Sequence, residues 1–304
     1  MKRNLIAILV AISSFSLKAQ DIFYSNYQQS LIAINPSFAG SNGGIRTQSN
    51  FRSTLNYYSA YSSCDVFVKK INAGFALTYD HNDIQQGLYK NDVFHISYAQ
   101  YFYSSNKQTK FIPSVQLGGF VRQLDKSKAS YEDMMNNYHA MRTPFVWEYI
   151  EPASKKVNFD ASAGLMIQHK NFIFGSSFYH ITQPDEGLWG LEKLPFLLNI
   201  HSSYNWMIKE NCLINFSGRF MSQGHFQELQ LMSKAVLFKH YLIGVGYQGY
   251  NGMMYNVGYR HNLFNISISG TYNFETKTGI PELGASYTLR NKEQRKQLTC
   301  MENW

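Results

Sequence analysis

The chain has 304 residues and a formal net charge of +8, and its share of aromatic residues, 16%, equals its share of charged residues. Charged side chains make up about a quarter of an average soluble domain, so this composition argues against an ordinary water-soluble protein. The basic residues form no stripe interleaved with stacking aromatics, and no nucleic-acid partner is expected. The 3 cysteines lie far apart without CxxC or Cys/His spacing, so neither a disulfide framework nor a zinc site is expected.

The N-terminus has the pattern of a secretory signal peptide. Lys2 and Arg3 precede the apolar run Leu5–Ile12, and small residues follow up to Ala19. We expect residues 1–19 to be cleaved, and the absence of a cysteine at the start of the mature chain argues against a lipid anchor. No later stretch approaches the ~18 to 20 consecutive apolar residues of a membrane-spanning helix, so none is predicted.

The next segment, residues 20–43, is too apolar to lie free in water and too short to fold alone. Its larger apolar side chains are Phe23, Tyr24, Tyr27, Leu31, Ile32, Ile34 and Phe38. We expect this N-terminal arm to enter the lumen of the barrel that the rest of the chain predicts, or to line its periplasmic mouth. Asn35, Pro36 and Gly40 are residues typical of turns, and we expect the arm to turn there.

From residue 44 to 290, apolar and polar residues alternate along many short runs. In Phe264–Phe274, nearly every even position is apolar, while every odd one is Asn, Ser or Thr. The same period of two occurs in Ile71–Asp80, Phe159–Gln168 and Met253–His261. Strands with one lipid-facing and one polar side have this pattern, and abundant Tyr and Phe suit the aromatic girdles of a membrane barrel. The sequence therefore predicts an all-β fold, a transmembrane antiparallel up-and-down β-barrel in the outer membrane.

Turn signals divide this region into about 14 predicted strands, an even number, as expected for a bacterial single-chain barrel. The predicted strands cover residues 45–53, 57–68, 71–80, 91–103, 109–124, 156–169, 171–182, 195–207, 211–222, 226–237, 241–249, 252–261, 264–274 and 281–289.

The predicted connections differ in length at the two ends of the barrel. Those after even-numbered strands are short, as expected for periplasmic turns, whereas the long ones follow odd-numbered strands and belong on the cell-surface side. The long connections are His81–Lys90, Asp125–Lys155 and Gln183–Leu194. We expect four parts in the chain: the signal peptide (1–19), the arm (20–43), the barrel (44–290) and a periplasmic C-terminal tail (291–304).

Two motifs suggest chemistry but fit the barrel better. Gly244–Gly249 matches GxGxxG, yet it continues an alternating strand and opens no helix, as a dinucleotide site would require. Asp80–Asp83 offers oxygen ligands for calcium, yet it lies at a predicted strand end, where Asp and Asn favour turns, and lacks a closing glutamate. Nothing in the sequence brings His139, His180 or His201 to a serine. We predict no catalytic residue, no cofactor and no metal, and hence a protein that is not an enzyme.

The long connection Asp125–Lys155 is rich in aromatic side chains. They include Tyr131, Tyr138, Phe145, Trp147 and Tyr149. Such a loop is either a lid packed on its own side chains or a docking surface for a partner, since exposed aromatic residues favour interfaces. The charged start of the tail, Arg290–Lys296, is either a solvated end or a contact for peptidoglycan or a periplasmic subunit.

Several segments together resemble the PorP/SprF family of outer-membrane proteins, which is associated with type IX secretion and gliding motility. The matching segments are Gln20–Tyr27, Asn35–Gly40 with its NPxxAG element, Phe111–Phe120, Val157–Leu165 and Phe178–Pro184. The last of these contains His180, Gln183 and Pro184 in an H-[LI]-T-Q-P element. The resemblance spans nearly the whole mature chain.

The resemblance implies a non-catalytic role in exporting type IX substrates or in holding them at the cell surface. The implied partners are outer-membrane lipid, a secreted adhesin or other type IX substrate, and periplasmic secretion or motility subunits. The alternative from a different class is a diffusion porin or a substrate-specific channel, because a barrel of this size is wide enough to hold water or a plug.

Overall fold

In a computed structural model, the described residues are 24–128, 154–188, 191–209, 211–249, 252–261 and 263–289. Within these ranges the chain forms a closed antiparallel barrel of fourteen strands, which confirms the predicted fold. Including one short extra strand, the elements are β1 (Ile45–Thr54), β2 (Tyr57–Val68), β3 (Ala73–Ile84), β4 (Tyr89–Gln100), β5 (Phe102–Tyr103), β6 (Thr109–Leu124), β7 (Lys155–His169), β8 (Phe172–Tyr179), β9 (Leu197–Lys209), β10 (Cys212–Gln223), β11 (Phe226–Leu237), β12 (Tyr241–Gln248), β13 (Gly252–Arg260), β14 (Phe264–Asn273) and β15 (Thr278–Leu289).

The wall closes on itself by pairing its first and last strands. β15 lies beside β1, with Leu289 opposite Ile45, and β4 lies beside β6. The two-residue β5 pairs with β6 just beyond the end of β4, so it lengthens that strand and does not widen the wall. Because hydrocarbon offers no hydrogen bonds to backbone groups, closure is what allows a sheet to span a membrane.

The two faces of the wall differ as the alternation predicts. On the outside, Val257 and Ile268 are each 59% exposed, whereas the inward Asn256 and Ser269 are 3% and 0% exposed. Exposed Phe, Tyr, Leu, Ile and Val side chains continue this apolar outer face around the barrel. A lipid-facing exterior and a polar interior follow from the same period of two.

The barrel has a turn end and a loop end. The turn end carries the short connections that follow β2, β5, β7, β9, β11 and β13, while the loop end carries those that follow β1, β3, β6, β8, β10, β12 and β14. The tight connections at the turn end agree with the prediction. At the loop end, 180–196 is a long connection as predicted, and most of 125–154 lies outside the described residues.

One predicted loop is wrong. The sequence predicts a long connection over His81–Lys90, but β3 continues to Ile84 and β4 begins at Tyr89. Only residues 85–88 remain as a tight turn, in which Gln85 and Gln86 have positive φ.

The polar residues that favour a turn here belong instead to paired strands. Asp80–Asp83 lies within β3, and His81 Nδ1 lies 2.7 Å from Asp92 Oδ1 on the neighbouring strand. Near the rim of a barrel, polar side chains pair across strands in this way, so their presence does not end the strand. Smaller differences of this kind occur where β8 ends at Tyr179 and β15 begins at Thr278, because tertiary pairing decides where a strand ends.

The glycine motif Gly244–Gly249 lies on β12 and at its end, as predicted. A Cβ on Gly246 would lie 2.4 Å from the carbonyl oxygen of Leu231, so glycine is needed for β11 and β12 to approach at this position.

The interior of the barrel contains residues 24–43, called the plug below. Short helical turns shape it: Tyr27–Gln29, Leu31–Ile34 and Pro36–Phe38. Ile32, Ile34 and Phe38 are at most 1% exposed and form the centre of an apolar cluster inside the lumen. Inward side chains of the wall complete this cluster, namely Ala76, Ala99, Tyr101, Ile112, Met166, Ile173, Met232 and Met254. Among the described residues, no helix has the length and apolar character to cross a membrane.

Candidate functional site

The plug runs along the lumen from the loop end to the turn end. Near the loop end, the backbone N–H groups of Ser25 and Asn26 donate to the Glu282 carboxylate, with distances of 2.9 and 3.0 Å. At the turn end, Gly40 N donates to Asp65 Oδ2 at 2.8 Å, and Asn42 Nδ2 donates to Thr288 Oγ1 at 2.9 Å. These bonds tie both ends of the plug to the wall.

Between its ends, the plug also contacts the opposite side of the wall. The Tyr27 hydroxyl lies 2.6 Å from Ser217 Oγ on β10. Gln28 Nε2 donates to Asn215 Oδ1 at 3.3 Å, and Gln28 Oε1 accepts from Lys234 Nζ on β11. Because these partners are far apart around the circumference, the plug bridges the lumen and does not merely line one side of it.

Asn35 is the polar centre of the plug. Its Nδ2 lies within hydrogen-bonding distance of Ser176 O (2.9 Å), Leu165 O (3.1 Å) and His201 Nε2 (3.1 Å). Its Oδ1 accepts from Ser37 N at 2.9 Å and so caps the turn that Pro36 begins. Asn35 is fully buried, and its bonds to carbonyl groups of β7 and β8 fix the position of the plug along the barrel axis.

The wall is shaped to receive this amide. A Cβ on Gly164 would lie 2.2 Å from Asn35 Oδ1, and one on Gly175 would lie 3.0 Å from Asn35 Nδ2. Glycines on two adjacent strands, β7 and β8, thus leave the space that the Asn35 side chain occupies.

Gly40 holds the turn end of the plug against the wall. It has a φ of +71°, in the left-handed region that favours glycine, and a Cβ there would lie 2.7 Å from Gly74 Cα. The Asp65 carboxylate that accepts from Gly40 N also accepts from Arg46 Nε at 2.8 Å and from Arg46 Nη2 at 3.1 Å. Arg46 Nη2 in turn donates to Phe38 O at 3.2 Å, so one buried ion pair connects β1, β2 and the plug.

His180 lies directly after β8, where the chain leaves the wall. Its Nδ1 is 2.8 Å from Asp160 Oδ2, and His95 Nε2 is 3.6 Å from the same oxygen. Thr182 Oγ1 donates to the other Asp160 oxygen at 3.2 Å. The group that faces His180 is therefore a carboxylate on β7.

Gln183 and Pro184 continue the same connection. Gln183 N donates to His180 O at 2.9 Å, and both residues have positive φ, 45° and 58° respectively. Pro184 O accepts from Leu194 N at 2.9 Å, which closes the base of the loop. The predicted motif residues thus form two groups: Asn35, Pro36 and Gly40 within the plug, and His180, Gln183 and Pro184 at the loop end.

Asp185 orders the rest of this connection. It accepts from Lys156 Nζ at 2.5 Å and from the backbone N–H groups of Gly187 (3.1 Å) and Glu192 (2.7 Å). The hydrogen bond from Lys156, followed by those from the backbone, lowers the pKa of the Asp185 carboxyl to about 2.

A cavity of about 130 Å³ lies beside the plug toward the loop end. Its wall side is formed by inward residues of β3, β4 and β6, among them Asp80, Asn91 and Gln116, and its plug side includes Tyr24 and Ile34. Arg219 on β10 also reaches it, and this side chain donates through Nε and Nη2 to Asn199 Oδ1 at 3.1 and 2.9 Å. The cavity is thus a polar chamber between the plug and the wall.

The remaining predicted residues are placed as follows. Tyr131, Tyr138, Phe145, Trp147 and Tyr149 of the aromatic loop lie outside the described residues, as do the tail and His139. His201 is buried, with Nε2 3.1 Å from Asn35 Nδ2 and its ring packed against Phe38. Within the described ranges, no group of three or more His, Cys, Asp or Glu side chains has the arrangement of a metal site.

Sequence reasoning missed the buried charges of the wall. Arg46, Asp65, Asp160 and Arg219 are each at most 5% exposed. Arg46 and Asp65 bond to the plug, Asp160 lies beside His180 at the base of the loop, and Arg219 lines the cavity. The signal that could have found them is a charged residue at an inward position of an alternating strand, because a buried charge needs a buried partner.

Comparisons with known proteins give a family and distant structural likenesses. The family described as type IX secretion system membrane protein PorP/SprF matches residues 16–289. No curated protein matches the chain significantly. The solved structures with a similar fold include the toluene transporter TodX of Pseudomonas putida, with 9% identity, a TM-score of 0.49, and coverage of 89% of this chain and 95% of that one. They also include the outer-membrane protein Omp33 of Acinetobacter baumannii, with 8% identity, a TM-score of 0.48, and coverage of 81% and 96%.

Proposed function

Because the chain belongs to the PorP/SprF family of type IX secretion system membrane proteins, we propose that this outer-membrane barrel assists the export of a secreted, adhesin-type partner and anchors it at the cell surface. In this role the barrel catalyses no reaction. It supplies a rigid, lipid-embedded base, and the partner is held by the parts of the chain that face the outside.

The filled lumen is the observation that best supports anchoring. The plug bonds to Glu282 near one end and to Asp65 near the other, and between them it reaches Ser217 on β10. A diffusion channel needs a continuous water-filled path, and this segment stands across it. Polar groups of the plug form hydrogen bonds to the wall near both ends of the barrel and between them, so the plug is fixed along its length.

The aromatic loop within Asp125–Lys155 is the proposed contact with the partner. It belongs to the loop end, which carries the long connections, and in outer-membrane barrels the long connections face the cell surface. Tyr131, Tyr138, Phe145, Trp147 and Tyr149 are of the residue types that anchor protein interfaces. The tail 291–304 would lie at the opposite end, where a periplasmic subunit or peptidoglycan is within reach.

The test replaces residues 129–153 by a short Gly-Ser linker. We expect normal barrel assembly but loss of the surface-exposed adhesin from the cells and from the purified complex. The matched control places the same linker in the turn Ser104–Gln108, at the other end of the barrel, and should leave the adhesin attached. Equal retention of the adhesin by both variants would contradict the proposal for this loop.

The alternative function is a channel, and the polar chamber beside the plug favours it. Single-channel recording in planar bilayers separates the two functions. We expect no stable conductance from the intact protein and a large conductance once residues 24–40 are deleted. Steady open conductance from the intact protein, with no secreted protein bound, would favour the channel.

A further inference from the structure

We propose that the cavity beside the plug binds a neutral sugar ring, either as a free monosaccharide or as the terminal unit of a glycan. The proposal concerns a binding site that neither anchoring nor export requires. It is carried by the size of the cavity, its unpartnered acceptors, its charges of both signs and its aromatic walls.

The size suits one six-membered ring. The cavity has a volume of about 130 Å³, close to the ~150 Å³ of an engineered cavity that accepts benzene. Because this cavity is not fully enclosed, the ring can enter while some of its substituents stay outside. Here, unlike in that apolar engineered cavity, the walls carry amide, carboxylate and guanidinium groups, so the ring that fits must carry polar substituents.

Two buried amide oxygens in the cavity have no hydrogen-bond partner among the described residues. They are Gln116 Oε1 on β6 and Asn91 Oδ1 on β4. Gln116 is 2% exposed, and its amide nitrogen already donates to Ser97 Oγ at 2.9 Å, so the oxygen is the amide atom that remains without a partner. An acceptor left unpaired in a buried site is costly, and hydroxyl groups of a ligand would donate to it.

The charges in the cavity favour a neutral ligand. Two carboxylates, Asp80 and Glu186, face two guanidinium groups, Arg122 and Arg219. Arg122 Nη2 and Glu186 Oε2 are 2.8 Å apart, so this pair already neutralises itself. His95 and His180 also line the cavity, and both lie beside the Asp160 carboxylate. The lining therefore carries both signs of charge, and because guanidinium and carboxylate groups both bond to hydroxyls, it suits a neutral ligand rich in hydroxyl groups.

Aromatic side chains supply the apolar part of the walls. Tyr61, Phe120 and Tyr179 line the cavity, and the first two are only 1% and 4% exposed. A pyranose ring has C–H faces as well as hydroxyls, so it matches a chamber with both kinds of wall. Because Asn91, Gln116 and Arg219 lie on barrel strands, they are held at fixed positions before a ligand arrives.

The experiment measures sugar binding to the intact protein, purified in a detergent without a sugar headgroup. Isothermal titration calorimetry and saturation-transfer NMR are applied with glucose, galactose, mannose and N-acetylglucosamine, and with galacturonate and glucosamine as charged comparators. We expect saturable binding of at least one neutral sugar and weaker binding of both charged ones. The methyl glycoside of the bound sugar distinguishes the sources, because the end of a glycan must tolerate a substituent at the anomeric carbon.

Three variants locate the site. Gln116→Leu removes one acceptor and should weaken binding about five- to tenfold. Val93→Trp fills the cavity from its wall and should abolish binding. Asn265→Leu is the matched control, because its Oδ1 is also buried without a partner but lies on β14, away from the cavity, and binding should be unchanged. Circular dichroism and the gel shift of heat-denatured barrels verify that each variant is folded.

Two results would overturn the proposal. One is the absence of saturable binding of any neutral sugar to the intact protein, or tighter binding of a charged comparator. The other is sugar binding that persists in folded Val93→Trp protein. Both outcomes are independent of the anchoring function, which is read from retention of the adhesin.

Discussion

The ion pair that fixes the turn end of the plug offers the sharpest test of the structure. Asp65 is 1% exposed, and its carboxylate accepts from Arg46 twice and from Gly40 N. Asp65→Ala leaves the Arg46 guanidinium buried without its counter-charge, which costs about 3 to 5 kcal/mol. The Gly40 N–H loses its acceptor as well, which adds about 1 kcal/mol. We therefore expect Asp65→Ala to lower the free energy of unfolding by about 4 to 6 kcal/mol.

The assay is equilibrium unfolding in guanidinium chloride, followed by tryptophan fluorescence of the barrel in lipid vesicles. The matched control is Asp185→Ala, which removes a partly exposed carboxylate with an ion pair to Lys156 and two backbone hydrogen bonds, and which should cost less, about 2 kcal/mol. Replacing both partners, Arg46→Met with Asp65→Leu, should recover most of the loss, because no buried charge then remains unpaired. A loss below about 1 kcal/mol for Asp65→Ala would refute the role of this pair in holding the plug.

Three further predictions follow from the plug contact, the outer face and the loop base. Gly74→Ala places a Cβ 1.9 Å from a plug carbonyl, so the plug should shift, and we expect measurable ion conductance in planar bilayers where the native barrel has none. Ile268→Lys, on the lipid face, should cost about 2 to 4 kcal/mol of unfolding free energy if the position lies near the membrane midplane, whereas Ile268→Leu should be nearly neutral. The pKa of Asp185 is lowered to about 2 by its hydrogen bonds, first of all from Lys156, so the stability that it adds is fully present above the unfolded-state pKa and is lost as the pH falls toward 2. The protection of Glu192 N from hydrogen exchange, measured relative to the intrinsic exchange rate at each pH, should be high at pH 5 and lower near pH 2, and in Asp185→Asn it should lose most of this dependence; equal protection at both pH values in the native protein would contradict the assignment.

Much of the wall was predictable because a barrel strand repeats one rule. Ile268 faces lipid and Ser269 faces the lumen whatever their distant neighbours are, so the period of two indicates both the strands and their faces. The same reasoning fails at His81–Lys90, where polar residues favour a turn locally but pair across strands near the rim. Local preference and tertiary pairing disagree there, and pairing decides the outcome.

The candidate site was predictable only in part. Asn35, Pro36 and Gly40 attract attention by their turn chemistry, and the plug by its apolar content. Their partners on the wall do not attract attention in the sequence. Asp65, Gly164 and Gly175 are separated from the plug by many residues and meet it only when the barrel closes. His180 illustrates the same limit, since its Asp160 partner lies on the neighbouring strand.

Local patterns were enough to predict an outer-membrane β-barrel of about fourteen strands and a buried place for residues 20–43. Periodicity and hydrophobicity are local properties, so they can be read without knowing which strands meet. The folded barrel was needed to show that residues 24–43 cross the lumen, that a buried ion pair holds them, and that a polar chamber remains beside them. These features depend on closing the wall, which brings β15 against β1 and surrounds the plug with side chains from distant parts of the chain.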